Sequence, residues 1–468
     1  MNPIYHSVID HLRCPESLLP MGTAKTFPAA SSPCGDNRRT HTGSLDRQAS
    51  RAVSTADLLA KILGQAAREN QGPDLALDLA RAIESLHLEL YPMAAEAKAR
   101  LSRRQPIRSL YYALRPLLPV AVRKWAQKAY LAGWQRLPFP LWPVDFTADD
   151  LLERLLIIGM KMQQIESLPF IWFWPNGKKS GVVITHDVET EAGRDFTSAL
   201  MDLDDAYGVR SSFQVIPEDR YALSAEYLAA IRERGFEVNV HDLTHDGSLF
   251  RDRERFLRQA RQINQFGGQW KALGFRSGAL YRRQEWFHAL QFEYDMSVPN
   301  VASLEPQRGG CCTVFPYFIG DILEIPVTAA QDYSLFHILN DYSLAVWQKQ
   351  IELICQRNGL ISFIVHPDYI QAAHPRRTYE SLLQHINQLR QTEELWVASP
   401  GELNRWWRMR QQSRLLKNGA SWTVEGPAKG YGRIAYAWLA DDHIVYEITS
   451  PEAQRDTERA VSITTEVA

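Results

Sequence analysis

Past Leu168 the chain settles into a regular alternation of two textures. Eight short runs are rich in β-branched and other apolar residues: "GVVIT" (181–185), "SSFQVI" (211–216), "FEVNVH" (236–241), "KALGFR" (271–276), "FEYDMS" (292–297), "ILEIPVT" (322–328), "LISFIVH" (360–366) and "LWVAS" (395–399). Their length and composition read as strands. Between several of them lie stretches with apolar residues three and four apart: "SAEYLAAIRERG", "RDRERFLRQARQINQFG", "SLAVWQKQIELICQRNG" and "TYESLLQHINQLRQ". These read as amphipathic helices, and three end at Gly, as a helix C-cap predicts. Alternation of this kind implies parallel strands with covering helices, and about seven or eight units predicts a closed or nearly closed (β/α) barrel. In such barrels the working residues sit at the C-terminal ends of the strands.

The flanks differ. Residues 1–54 form an N-terminal segment whose Ser-, Pro-, Gly- and Arg-rich part, from about Met21, is read as a disordered linker. Residues 55–168 are helical in pattern, with "ADLLAKILGQAAREN", "ALDLARAIESLHLELYP" and "ADDLLERLLIIGMKMQQI" as the periodic segments. A basic, aromatic stretch between them (103–134) fits a helical layer with snorkelling Arg and Lys, or a face toward a membrane or protein partner. The barrel is assigned to 169–412. In 413–468, "SWTVEG" and "GRIAYAWLADDHIVYEITS" alternate around an Asp441-Asp442 turn, which predicts a small antiparallel β-appendage, and the tail from Pro451 is expected to fray.

Composition changes little in this picture. The formal net charge of -2 over 468 residues gives no electrostatic case for nucleic acid. Five cysteines without CxxC spacing argue against a disulfide framework or thiolate zinc site and fit a reducing compartment. No basic, apolar and small-residue leader pattern is found, and no apolar run reaches the roughly 18 residues of a membrane helix. A cytoplasmic location is expected.

The strand exits carry the chemistry. "THDVE" puts Asp187 and Glu189 two residues apart, so both face one side of a strand. Two such carboxylates can divide metal binding and proton transfer, or Asp187 and Thr190 can simply cap the next helix. "HDLTH" sets His241 and His245 four apart, a spacing that lets two neutral imidazoles share a divalent cation. The alternative is two surface histidines. Asp242 stands where a HExxH zinc protease has Glu, which disfavours that class. "GFRSG" presents Arg276, a fixed donor fork suited to orienting a carboxylate, or an ordinary turn Arg. "FIVHPD" drives an apolar strand into His366, either a core imidazole or a general acid. His186 is read as packing.

In this order, "THDVE", "HDLTH", "GFRSG" and "FIVHPD" resemble the motifs of the polysaccharide deacetylase superfamily over roughly 181–399. The resemblance implies an α/β fold, a distorted (β/α)7-8 barrel of that family's type. It implies a metal-dependent hydrolase acting on carbon–nitrogen bonds other than peptides, which removes an N-acetyl group from a sugar of a glycan or glycan precursor. It casts Asp187 as general base, Glu189, His241 and His245 as ligands of one divalent metal ion (zinc first), Arg276 as the residue orienting Asp187, and His366 as general acid. The expected partner is an N-acetylated carbohydrate. The chain departs from the family pattern at Glu189, where Asp is more usual, and at Gly278, where Pro is common. It also lacks a clear acidic-tryptophan motif to anchor His366, for which Asp295 and Asp332 are the candidates. Another amide hydrolase on the same fold, or a non-catalytic glycan-binding module, are the competing readings.

Overall fold

The computed structural model describes residues 6–19, 73–91, 120–392, 395–419 and 421–449. The proposed linker, the segment "ADLLAKILGQAAREN" and the tail from Pro451 lie outside them.

All eight expected strands are present. The barrel strands are β2 (Ser180–Val188), β3 (Ser212–Val215), β4 (Glu237–His241), β5 (Gly274–Arg276), β6 (Tyr294–Asp295), β8 (Ile322–Glu324), β9 (Leu360–Ile364) and β10 (Leu395–Val397). Two further strands were not expected there: β1 (Ser167–Ile171), and β7 (Tyr317–Ile319), which makes an antiparallel hairpin with β8. The order β9-β2-β3-β4-β5-β6-β8 is parallel throughout. β10 runs along the start of β2, at Ser180–Val182, while β3 takes its end, at Thr185–Val188. The chain beyond β8 returns to β9, where Ala329 N–H donates to the Ser362 carbonyl (3.1 Å) and Thr328 Oγ1 donates to the Leu360 carbonyl (2.8 Å). The sheet is therefore curled into a distorted α/β barrel, and these few bonds bridge its seam.

Every residue of β2 is buried. The full burial of Val182, Val183 and Ile184 fits a central parallel strand, and each such side chain stabilises the fold by about 1.5–3 kcal/mol. Gly181 is needed here, since a Cβ would sit 2.8 Å from the Trp174 ring. The covering helices are α5 (Glu191–Ala206), α6 (Ala225–Glu233), α7 (Arg253–Trp270), α8 (Ala345–Gln356), α9 (Ala373–Gln391) and α10 (Pro400–Gln411). Four have side-chain caps: Thr190, Ser224, Asp252 and Ser399 accept from the first turn of α5, α6, α7 and α10.

Upstream lie α1 (His6–Leu12), α2 (Pro73–His87), α3 (Val120–Leu131) and α4 (Thr147–Gln163). Leu79, Ile83 and Leu86 of α2 and Leu151 and Leu155 of α4 belong to the same apolar cluster as the barrel residues Val183, Phe363 and Trp347. A buried ion pair adds a polar tie, with Glu89 accepting from Arg282 and from the Gly310 N–H. At the C-terminal end β11 (Arg414–Asn418) pairs with β12 (Ser421–Glu425), and β13 (Ile434–Ala440) turns at Asp441-Asp442 into β14 (His443–Ile448). β13 is also hydrogen-bonded along β1, and Ile434, Ala435 and Ala437 enter the main core. Among the described residues no helix is long and apolar enough to cross a membrane. They contain no disulfide, and Cys311 and Cys312 are buried thiols pushed well above their usual pKa by burial.

Candidate active site

The strand exits bring the six sequence-chosen residues together. Asp187 is the penultimate residue of β2, Glu189 follows the strand, His241 ends β4 and Arg276 ends β5. His366 lies two residues past β9. Asp187 does not cap α5; that position falls to Thr190, whose Oγ1 accepts from Gly193 N–H at 3.0 Å.

Glu189, His241 and His245 present donor atoms that all lie within 4.8 Å of one another. Glu189 Oε1 is 2.9 Å from His245 Nε2, 3.8 Å from His241 Nε2 and 3.5 Å from His366 Nε2. The Nε2 atoms of His241 and His245 are buried and make no well-aligned hydrogen bond, although Glu189 Oε1 stands within reach of the His245 nitrogen. An orphaned buried nitrogen costs about 1–3 kcal/mol unless something else occupies its lone pair. Two imidazoles and one carboxylate aimed at a common point are a donor set that suits a divalent transition metal.

The outer contacts bear on tautomers. His241 Nδ1 faces the Arg276 carbonyl at 3.1 Å, which keeps a proton on Nδ1; burial works against a second proton, but Asp187 and Glu189 raise the pKa of the ring, so a cation bound at Nε2 would displace that proton. His245 Nδ1 lies 3.1 Å from an Arg220 nitrogen that also donates to the His245 carbonyl at 2.6 Å. Ligation through His245 Nε2 puts its proton on Nδ1, so Arg220 then donates to the backbone carbonyls of His245 and Thr244. His245 and Asp242 both adopt left-handed backbone conformations, with φ of 52° and 57°. Such strain, of order 1–3 kcal/mol per residue, is held in place by the surroundings. Asp242 is pinned by Leu243 N–H (2.7 Å) and Gly278 N–H (3.1 Å). Gly278 is thereby explained: a Cβ there would lie 2.4 Å from Asp242 Oδ2 and 2.9 Å from the His245 ring.

Asp187 is held by Arg276. The NH1 group donates to Asp187 Oδ1 at 2.6 Å and to Thr185 Oγ1 at 2.8 Å, while Nε donates to the Met296 carbonyl at 2.9 Å. The other carboxyl oxygen of Asp187 looks toward His241 Nε2, 3.7 Å away. Burial works against ionisation of Asp187, but the Arg276 guanidinium and the His241 and His366 rings outweigh it and hold the carboxyl below its ordinary range. Glu189 behaves alike: burial opposes its charge, and His245, His241 and His366 bring it well below the carboxylate norm.

His366 is anchored by Asp332. Its Nδ1 is 2.7 Å from Asp332 Oδ1, and its backbone N–H donates to Asp332 Oδ2 at 2.7 Å. Burial alone would lower its pKa, but Asp332 and then Glu189 raise it well above the usual value. Asp295 lies elsewhere, accepting from the Ser297 N–H and hydroxyl. His186 packs as expected, with Nδ1 2.9 Å from the Val365 carbonyl and Nε2 2.9 Å from Asp204 Oδ2. Sequence reasoning missed Thr185, Arg220 and the Tyr369 ring, whose centroid is 4.7 Å from that of His366. None of the three carries a spacing signal.

No family model matches the chain, and no curated protein matches it. Solved structures do. The chain is similar to solved polysaccharide deacetylases. A protein inferred to be a polysaccharide deacetylase from Mycobacterium smegmatis has 16% identity and a TM-score of 0.43, over 54% of this chain and 98% of that one. The peptidoglycan deacetylase PdaC from Bacillus subtilis has 11% identity and a TM-score of 0.32, over 48% and 90%. The chitin deacetylase of Colletotrichum lindemuthianum has 14% identity and a TM-score of 0.31, over 50% and 90%.

Proposed function

We propose that the protein is a metal-dependent hydrolase of the polysaccharide deacetylase type, which removes an acetyl group from the nitrogen of an acetylated sugar. The observation that carries this reading is the convergence of Glu189, His241 and His245, three buried or half-buried side chains whose donor atoms lie within 4.8 Å of one another. Those three residues would hold one divalent cation, zinc being the first choice for imidazole and carboxylate donors. Bound there, the ion supplies Lewis acidity for an amide carbonyl and an acidified water.

The remaining roles belong to side chains. Asp187, ionised and facing the cluster, accepts the proton of the attacking water; Arg276, itself braced by Thr185, fixes it in place. His366 stands on the other side of Glu189 with Nε2 pointing in, and Asp332 keeps it protonated, so it delivers a proton to the departing nitrogen. An ionised acid beside a protonated imidazole is the division of labour that amide hydrolysis requires.

The test is acetate release from N-acetylated chito-oligosaccharides by zinc-loaded protein. Release that disappears on chelation and returns with zinc supports the proposal. Metal-loaded protein that binds such sugars but hydrolyses neither them nor acetate esters would instead support a non-catalytic glycan-binding module.

A further inference from the structure

One residue before Asp187, a cluster of four polar side chains sits in the core between β2, α5 and α9, and the proposed reaction does not use it. His186, Asp204, Ser211 and Tyr379 are all fully buried. Asp204, on α5, gathers three of the contacts. Tyr379 of α9 donates its hydroxyl to Oδ1 at 2.5 Å, and Ser211, just ahead of β3, donates to Oδ2 at 2.6 Å. His186 Nε2 meets the same Oδ2 at 2.9 Å, and its Nδ1 lies 2.9 Å from the Val365 carbonyl.

The partners fix the protons. A carbonyl and a carboxylate oxygen only accept, so each nitrogen of His186 brings a proton. The short contacts from the two hydroxyls are those of an ionised carboxylate. His186 and Asp204 are therefore a buried ion pair, with both ring nitrogens and both carboxyl oxygens engaged. An apolar ring of similar size would fill this space beside Phe213, whose centroid is 5.0 Å from that of His186, without stripping two charges of water. What the imidazole adds is a directed grip on one backbone atom.

That atom sits at a junction. β2 and β9 pair side by side up to Thr185 and Ile364, and Val365 N–H then donates to the Thr185 carbonyl at 3.0 Å. At His366 the chain turns away into the short helix Pro367–Ile370. The residue after His186 is Asp187, the proposed base, and the residue after Val365 is His366, the proposed acid. Arg276 holds Asp187 and Asp332 holds His366, each from a third segment. The His186 contact adds a side-chain tie between the two strand exits. We propose that the His186–Asp204 pair is a positioning device, which sets the separation of base and acid by locking the Val365 carbonyl to β2, with α5, α9 and the approach to β3 as its braces. His186 touches no reacting atom. The names base and acid rest on the deacetylase reading; the tie itself stands without it.

The test uses the full zinc-loaded chain with nitrogen-15-labelled histidine. In nitrogen–proton correlation spectra the His186 ring, assigned by its loss in His186→Asn, shows a proton on both nitrogens. Asp204→Asn is the reference, because it removes the charge and leaves His186 able to donate to Val365. Against it, His186→Phe combined with Asp204→Asn keeps a ring in place and leaves no buried charge, but releases the carbonyl. In that chain the His366 Nδ1 proton signal moves, and kcat for acetate release falls about tenfold or more at unchanged KM and zinc content. His186→Asn combined with Asp204→Asn puts an amide nitrogen where Nδ1 stood and restores both readouts, which a space-filling role would not produce. A bare nitrogen on His186, an unmoved His366 signal in the Phe chain, or a kcat equal to that of Asp204→Asn overturns the proposal. The ring-proton measurement needs no Phe variant, so it stays decisive if that chain does not fold. If the unmutated chain releases no acetate while the His366 signal responds, the tie stands and the deacetylase reading fails. Acetate release that is the same in the Phe chain does the reverse.

Discussion

Asp187 with Glu189, and Asp295 with Glu324, are two acidic pairs set into the same barrel, and their surroundings drive them apart. The first pair is ringed by cationic or protonatable groups, Arg276, His241, His245 and His366, and is held ionised below the ordinary carboxylate range. The second pair faces no such ring. Asp295 and Glu324 sit opposite each other on β6 and β8, both fully buried, and burial pushes both upward, with Glu324 well above its usual value. The hydroxyl of Ser297 and the backbone N–H groups of Ser297 and Val298 take up most of their acceptors. Arg276 stands between the pairs and commits its NH1 to Asp187. Proximity to the barrel axis does not make a carboxylate reactive; the charge of its neighbours decides which pair can take a proton from water and which shares one for packing.

The largest effect separating the pairs is on turnover. Asp187→Asn lowers kcat by about 10²–10⁴ while zinc stays bound, whereas Asp295→Asn changes kcat only a few-fold. Equal losses in steady-state acetate release would erase the distinction. Next comes the acid. Asp332→Asn lowers kcat about 10–100-fold and moves the basic limb of the pH–rate profile to lower pH. The sign follows from His366: Asp332 raises its pKa, so removing that charge makes the proton leave at lower pH. An unmoved limb would detach Asp332 from the chemistry.

Gly278→Ala sharpens the comparison at the metal side. Its Cβ presses on Asp242 and the His245 ring, and zinc affinity in a competitive chelator titration falls about tenfold or more. The smallest effect falls on the second pair. Folded Glu324 has a raised pKa, so the folded state binds more protons than the unfolded one between about pH 4.3 and that higher value, and stability declines as pH rises through this window. Glu324→Gln removes the decline. Its stability relative to the unmutated chain therefore grows as pH rises from about 5 to about 8, read by denaturant unfolding. A constant difference would mean that Glu324 does not hold its proton.

The sequence was informative where one physical cause acts locally. Fully buried parallel strands such as β2 and β9 must be continuous apolar runs, so they were readable, and ionisable residues at their exits marked the site. Contacts between loops were not readable. Spacing left Asp295 and Asp332 equal as anchors of His366, and the curl that returns the chain beyond β8 to β9 selects Asp332. The same holds for β1, whose antiparallel partner β13 lies far along the chain, and for Gly278, whose need arises from the Asp242 and His245 side chains across the loop.

The measurement that tests the centre most directly is zinc stoichiometry by mass spectrometry, with anomalous diffraction to place the ion. The account predicts one zinc per chain, bound by Glu189, His241 and His245 and lost in His241→Ala. Purified protein that takes up no ion, or an ion that stays in His241→Ala and lies away from these three side chains, would contradict it.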